Sequence, residues 1–332
     1  MIILAIESSC DETAMAIVED GRKVISNTVY TQIAIHTQYG GVVPEVASRE
    51  HIKKVTYVLE STLKDANMTL NDIDAVAVTK EPGLIGSLMV GINTAKTISL
   101  CYNKPLIYVN HIHGHIYANY LEEDFTFPLL ALVVSGGHTE LVLMKDHFEF
   151  ELLGETLDDA VGEAYDKVAR VVNVGYPGGP IIDKMASMGE VTYSLPHIKL
   201  GKDSYDFSFS GLKSAVINLC HNANQRGETI DANNLAASFQ NAVIDVLVSK
   251  TSKAAQNFQV KQVIIAGGVA ANKGLRTAMK DEMDKLNIKL TVPSFKFCTD
   301  NAAMIAAAGY FAYKKGIRAN IDLKATATTS LF

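Results

Sequence analysis

Three of the chain's nine histidines stand together in His111-Ile112-His113-Gly114-His115. On a helix, residues four apart share a face, so His111 and His115 aim their imidazoles at one point while His113 turns elsewhere. Such a pair forms part of a metal site and wants an oxygen or nitrogen from another segment. Taken alone, an HxxxH pair is more often a histidine cluster of the core or surface than a ligand set. Asp300, which opens the equivalent helix of the second half, supplies a carboxylate and turns the reading toward metal. The pattern is not that of a helical zinc protease, whose HExxH holds the glutamate that activates water, because position 112 is isoleucine.

Two turns have the composition to meet a phosphate. Glu7-Ser8-Ser9-Cys10-Asp11-Glu12-Thr13 and Ser135-Gly136-Gly137-His138-Thr139 each join two apolar stretches that read as antiparallel strands. There is no Walker loop, yet a tight turn rich in Ser, Thr and Gly exposes several N–H groups and hydroxyls to one anion. Either turn alone is more often only a turn; two at equivalent places could clamp a polyphosphate or an adenylate. Gly267-Gly268-Val269-Ala270-Ala271-Asn272 follows a buried strand and opens a helix over Ala270 to Lys285. Its glycines allow close approach of a flat ligand and Asn272 offers a donor and an acceptor, although a close strand–helix turn needs the same residues. Asp166, on the helix carrying Gly162 to Lys167, and Asp183, just past Gly178-Gly179, could accept from ribose hydroxyls or be solvated helix-face acids.

Positioning these groups takes a repeated plan. Ile2–Ile6, Ala14–Val18 and Lys23–Tyr30 read as strands, followed by a helix with Pro44 in its first turn and a buried stripe of Ile52, Val55, Leu59, Leu63 and Ala66. A strand over Asp74 to Thr79 leads to the glycine turn Pro82-Gly83-Leu84-Ile85-Gly86 and a helix. Leu106 to Val109 precedes the histidine helix. The second half repeats the order: Leu129–Val134, Glu140–Met144 and Phe148–Leu153, then Gln262–Ala266 with its glycine turn and helix, then Lys289–Val292 and a helix from Asp300 to Lys315. An antiparallel opening to each half is unusual for simple doubly wound folds. The expectation is α/β, two duplicated lobes with a central cleft, residues 1–125 and 126–332, and a helical insertion in the second lobe at about 158–256.

Composition bounds the function. At 332 residues with 48% hydrophobic and 20% charged side chains, the chain is globular with ample core. Four cysteines without CxxC spacing read as free thiols in a reducing compartment. The apolar start meets Glu7 at once and reads as a strand rather than a secretory leader, and no stretch approaches the ~20 residues that span a bilayer. A cytoplasmic protein with no membrane partner is expected. A net charge of −6 argues against a general nucleic-acid binder. A nucleic-acid substrate would need a local patch, for which Arg49, Lys53 and Lys54 are the candidates, or help from a partner.

Eight segments in order resemble one family: Ile6 to Thr13, Tyr39 to Glu45, Pro82 to Gly86, Val134 to Thr139, Tyr176 to Pro180, Asp206 to Gly211, Gly267 to Asn272, and Cys298 to Asn301. They look like the TsaD family of tRNA N(6)-adenosine threonylcarbamoyltransferases. The resemblance implies an actin-like (ASKHA, ribonuclease H-like) fold. It also implies transfer of a threonylcarbamoyl group from threonylcarbamoyl-AMP to the adenosine just 3′ of the anticodon. Carried over, His111, His115 and Asp300 would hold one divalent metal, iron(II) first and zinc second. Val134, Ser135, Gly136, Gly137 and His138 would line the phosphate side, and Asp166, Gly179, Asp183 and Asn272 the adenosine, in a site that ATP or ADP could also occupy. Bacterial members work with an inactive paralogue, TsaB, and a small ATPase, TsaE. Two departures stand out: His113 where the family has glutamate, and Glu81-Pro82-Gly83 where it often has Gly-Pro-Gly. Asp11 is the candidate base for the adenine amine. The competing readings are a small-molecule kinase of the same fold, a metalloendopeptidase and a non-catalytic scaffold. The kinase is disfavoured by imidazole ligands where Mg-ATP wants oxygen.

Overall fold

Ile3, Leu4, Ala5 and Ile6 are all fully buried, so the first strand has an apolar side chain to hide on both faces and lies inside its sheet. The computed structural model describes residues 1–196, 200–201 and 204–328; Lys199 lies outside them. The chain divides into two units, one formed by Met1–Asp124 with Pro293–Phe332, the other by Phe125–Val292.

In the first unit, β1 (Ile2–Glu7), β2 (Glu12–Glu19) and β3 (Lys23–Thr31) form an antiparallel meander. The short helix α1 (Ile33–His36) leads to α2 (Pro44–Ala66), which has proline in its first turn. Then come β4 (Ala75–Glu81), α3 (Ile85–Tyr102), β5 (Leu106–Asn110) and α4 (His111–Ala118). The sheet order is β3-β2-β1-β4-β5, with β4 parallel to both β1 and β5.

The second unit repeats this. β6 (Leu129–Val134), β7 (Thr139–Asp146) and β8 (Glu149–Glu155) form the antiparallel part. Four helices follow: α5 (Val161–Val171), α6 (Gly178–Ala186), α7 (Ser210–Arg226) and α8 (Ala232–Asn257). β9 (Gln262–Ala266), α9 (Lys273–Leu286) and β10 (Lys289–Thr291) complete it. The order β8-β7-β6-β9-β10 matches that of the first sheet, strand for strand. The chain then returns to the first unit with α10 (Phe295–Cys298) and α11 (Ala302–Lys314).

Residues 293–332 were expected in the second lobe, and their packing places them otherwise. Ten residues of α11, from Ala302 to Ala312, are buried. Its small side chains let it lie close on the first sheet: a Cβ on Gly309 would stand 2.8 Å from that of Ala77. A Cβ on Gly114 of α4 would meet Ile305 at 2.6 Å. A repeat of element order does not specify which sheet a helix covers; the close fit decides it.

Three local readings also shift. On α2 Val55, Leu59, Leu63 and Ala66 pack half-buried against the core as expected, but Ile52 is 64% exposed and the buried positions are Ala47, His51, Val58 and Thr62. The polar members are buried because each has a partner: Thr62 Oγ1 donates to the Val58 carbonyl at 2.7 Å, and His51 holds the β1–β2 turn. A hydrophobic pattern has no means of marking such positions. Past Gly267, a single 3-10 turn (Gly268–Ala271) comes before α9, which Asn272 caps. Asp300 stands just before Asn301, the cap of α11, rather than in the helix itself.

Glu140 on β7 is the odd member of the second core. Only 6% exposed, it leaves Oε2 without a hydrogen bond among the described residues, and Glu155 stands opposite in register. Burial, with Glu155 adding to it, pushes its carboxyl up to about 8. Between pH 4.5 and 8 the unfolded chain gives up this proton while the fold keeps it, so stability falls as pH rises through that window. The penalty reaches about 3 kcal/mol at pH 7. Glu140→Gln is therefore expected to stabilise the protein more at pH 8 than at pH 5 in denaturant titrations. An equal effect at both pH values would contradict the argument.

Candidate functional site

Asn110 ends β5 and starts α4: its Oδ1 accepts from the backbone N–H of Ile112 at 2.8 Å. That cap sets His111 in the first turn and His115 one turn on, with exposures of 9% and 1%. Asp300 Oδ1 lies 3.5 Å from His111 Nε2 and 3.2 Å from His115 Nε2. The two rings meet edge-on with centroids 4.6 Å apart. One potential ligand atom from each of the three residues lies within 4.8 Å of the others. All three belong to the first unit, although Asp300 was expected across the cleft from the histidines.

The surroundings suit a metal. His111 Nδ1 faces Glu7 Oε2 at 3.1 Å and Ser9 Oγ at 3.2 Å. A carboxylate on one ring nitrogen fixes the tautomer and leaves the other nitrogen as a ligand of raised basicity. Glu7 is itself held, accepting from Thr79 Oγ1 at 2.6 Å and from the Ser9 N–H at 2.5 Å. Burial opposes charge on both imidazoles. At His111 the carboxylates of Asp300 and Glu7 outweigh it and hold the ring well above its usual range; at His115 burial prevails and the ring is lowered. Burial likewise raises Asp300, but the two histidines more than reverse this and hold it below the usual carboxylate range. Two imidazole nitrogens and one carboxylate oxygen, stabilised by a proton on His111, form a donor set that a dication fits on releasing that proton.

The β1–β2 turn carries Asp11 and is fixed from several sides. His51 Nε2 donates to the Cys10 carbonyl at 2.9 Å, and its Nδ1 pairs with Thr13 Oγ1 at 2.7 Å. The Leu84 N–H donates to the Ser9 carbonyl at 2.7 Å, and a Cβ on Gly83 would stand 2.5 Å from that oxygen. Beside half-buried Asp11, Glu12 is pushed up to about 10 by burial and then by Asp300 and Asp11. Sequence reasoning missed the parts played by Glu7, Ser9, Glu12 and His51. An acid closing an otherwise apolar buried strand was a usable signal for Glu7.

In the second unit, Val134 to His138 makes a self-closed turn. Ser135 N donates to the His138 carbonyl at 2.8 Å, and Ser135 Oγ accepts from His138 N at 3.0 Å. That oxygen shapes the loop. Space is open around Gly136 and Gly137, whereas Gly267, at φ +91°, would put a Cβ 2.4 Å from the Val134 carbonyl. Asp166 Oδ1 accepts from Gly178 N at 2.7 Å, so this carboxylate is engaged in holding the start of α6. Gly179 beside it faces open space. Asp183 and Asn272 are joined through Gln240 of α8: Gln240 Nε2 donates to Asp183 Oδ1 at 3.0 Å, and Asn272 Nδ2 donates to Gln240 Oε1 at 2.8 Å. Asn272 Oδ1 caps α9 on Leu275 N, so both ends of this amide have protein partners. Of the basic candidates on α2, Lys53 pairs with Glu50 and Lys54 lies 4.7 Å over the Tyr30 ring. No helix among the described residues is long and apolar enough to cross a membrane.

Residues 23–307 match the profile of a family described as TsaD: tRNA N6-adenosine threonylcarbamoyltransferase. The chain is 59% identical over 322 residues to the tRNA N6-adenosine threonylcarbamoyltransferase of Staphylococcus saprophyticus, covering 97% of this chain and 94% of that one. It is 59% identical over 324 residues to the enzyme of that name from Bacillus subtilis, again covering 97% and 94%. Among solved structures, full-length HypF in its phosphate- and nucleotide-bound form superposes with a TM-score of 0.63 at 14% identity, over 95% of this chain and 46% of that one. Component A of the Acidaminococcus fermentans (R)-2-hydroxyglutaryl-CoA dehydratase gives 0.54 at 14% identity, over 95% and 98%. These two likenesses concern the fold, which is of the actin-like kind.

Proposed function

The chain belongs to the TsaD family, and on that premise we propose that it transfers a threonylcarbamoyl group from threonylcarbamoyl-AMP to the exocyclic amine of the adenosine just 3′ of a tRNA anticodon. The observation that carries this reading is 59% identity to a threonylcarbamoyltransferase sustained over 97% of the chain. The amine nitrogen attacks the carbamoyl carbon, the bond from that carbon to the phosphate oxygen breaks, and AMP leaves with the electron pair. Because the mixed anhydride is already activated, the protein's work is to position it and to stabilise charge on the departing phosphate.

In this proposal His111, His115 and Asp300 hold a divalent metal, iron(II) first and zinc second, since the donors suit both. When bound, the ion supplies a Lewis-acid charge for a phosphate oxygen. Glu7 and Ser9 keep His111 in one tautomer for this purpose. The N–H groups of Val134 to His138 receive the phosphate side. Asp183 accepts from ribose hydroxyls, and Asp166 and Asn272 hold the backbone around Gly179 and Asn272 against the adenosine. Asp11 takes the amine proton. If it does, Asp11→Ala lowers single-turnover transfer by about 10²-fold at unchanged metal content; full activity would remove Asp11 from the mechanism.

With a net charge of −6, and with Lys53 and Lys54 engaged, we expect weak tRNA affinity for the isolated chain. A TsaB-like paralogue and a TsaE-like ATPase would complete the working surface in the cytoplasm. The direct test supplies the chain and these partners with unmodified tRNA, labelled threonine, bicarbonate, ATP and the enzyme that makes the adenylate. Label in tRNA supports the proposal. Unlabelled tRNA with a phosphorylated small molecule would replace it with a kinase.

A further inference from the structure

Gln240 is 7% exposed and touches two of the residues proposed above to bind the nucleotide, though it has not itself been given a role. Its amide has one usable orientation. Oε1 accepts from Asn272 Nδ2 at 2.8 Å and from Tyr165 Oη at 3.3 Å, while Nε2 donates to Asp183 Oδ1 at 3.0 Å. Turned over, the amide would set its oxygen against the Asp183 carboxylate and its nitrogen against the Asn272 Nδ2 donor. Burial keeps the Tyr165 phenol protonated and able to donate. The other Asp183 oxygen accepts from Lys273 N at 3.2 Å, so that carboxylate is fixed at both atoms. Gly274 closes the pocket: a Cβ there would stand 2.8 Å from Gln240 Nε2.

We propose that Gln240 is a positioning residue for nucleotide recognition, its amide setting the Asp183 carboxylate and the Asn272 side chain in the single relative orientation that a ribose and base require. This rests on the reading of Asp183 and Asn272 as nucleotide-binding. It adds that α8, which carries no proposed ligand contact, governs how well that site is formed. A donor is needed toward Asp183 and an acceptor toward Asn272, and glutamine alone among side chains of this length offers both.

The test uses the full chain with ADP as probe, titrated calorimetrically, and the transfer assay with its partners. Gln240→Glu keeps the shape but turns the donor into an acceptor facing Asp183. It is expected to weaken ADP binding about tenfold or more at pH 8 and to regain most of it at pH 5.5, where a proton shared between the two carboxyls restores the missing donor. Gln240→Met keeps the volume without the hydrogen bonds, and should lose about three- to tenfold at both pH values. In the transfer assay both raise KM for the adenylate more than they lower kcat. Gly274→Ala, pressing on the amide from the opposite side, should weaken ADP in the same direction. ADP binding by Gln240→Glu equal to the parent at pH 8, or a loss equal to that of Gln240→Met and insensitive to pH, would overturn the proposal. If Asp183→Ala and Asn272→Ala leave ADP binding unchanged, the nucleotide reading itself falls and this inference with it. If they weaken binding while Gln240→Glu does not, the inference alone is overturned.

Discussion

Asp300→Ala is expected to yield a folded chain that does not bind the metal proposed for this centre and transfers threonylcarbamoyl groups about 10²–10³-fold more slowly, a loss of roughly 3–4 kcal/mol in transition-state stabilisation. Asp300 Oδ1 is the atom that both histidine Nε2 atoms approach, at 3.2 and 3.5 Å. Without it two imidazoles remain, and Glu7 is already committed to the far side of His111. The variant also removes a carboxylate that raises His111 and Glu12. Both groups should return toward their ordinary values, visible by NMR titration even in metal-free protein. Asp300→Asn separates shape from charge: it keeps the side-chain volume and should lose metal nearly as fully. Elemental analysis of the purified variants decides the matter, since a variant that keeps its metal would show that the centre does not depend on Asp300.

Gly267→Ala should strongly destabilise the second unit, because a single methyl there meets both backbone strain and a close backbone contact. At φ +91° an alanine is strained by about 1–3 kcal/mol. Its Cβ would also stand 2.4 Å from the Val134 carbonyl, a backbone atom that moves only with β6, adding overpacking of about 1–3 kcal/mol. The two together amount to about 2–6 kcal/mol, or roughly 10 °C in the melting of the unit that holds them. Because the displaced carbonyl begins the Val134–His138 turn, nucleotide affinity should fall along with stability. Gly268 is the control, with no neighbour within 4 Å of an added Cβ, so Gly268→Ala should cost under about 1 kcal/mol. Matching melting curves for the two variants would refute the close-approach argument.

Much of this is legible in the residues. The meander, the strand–glycine–helix unit and their repetition follow from apolar runs and turn chemistry, and both sheets have the same order. The His111–His115 spacing is legible because a helix fixes it locally. What resists reading is whatever depends on contacts distant in sequence. Asp300 can be matched to the histidines by symmetry, but its unit depends on the packing of Gly309 and Gly114, which a repeat does not encode. Buried polar residues are the second blind spot. His51, Thr62 and Gln240 look like surface residues until the partners that satisfy them are known. Asn272 shows the converse: its composition advertises a free amide, and the fold employs both of its ends.

The return of α11 to the first sheet has a bearing on the order in which the protein is made. On the ribosome, β1 to α4 emerge early with His111 and His115, but the carboxylate that joins them is synthesised only after the whole of Phe125–Val292. Domains tend to fold as they emerge, the N-terminal one first. Here the first unit has to wait, its core open where α11 will lie, until the second has been translated. The nascent chain thus presents two histidines without their carboxylate for most of its synthesis, and the three residues come together only in a chain that already carries the Val134–His138 turn of its second half.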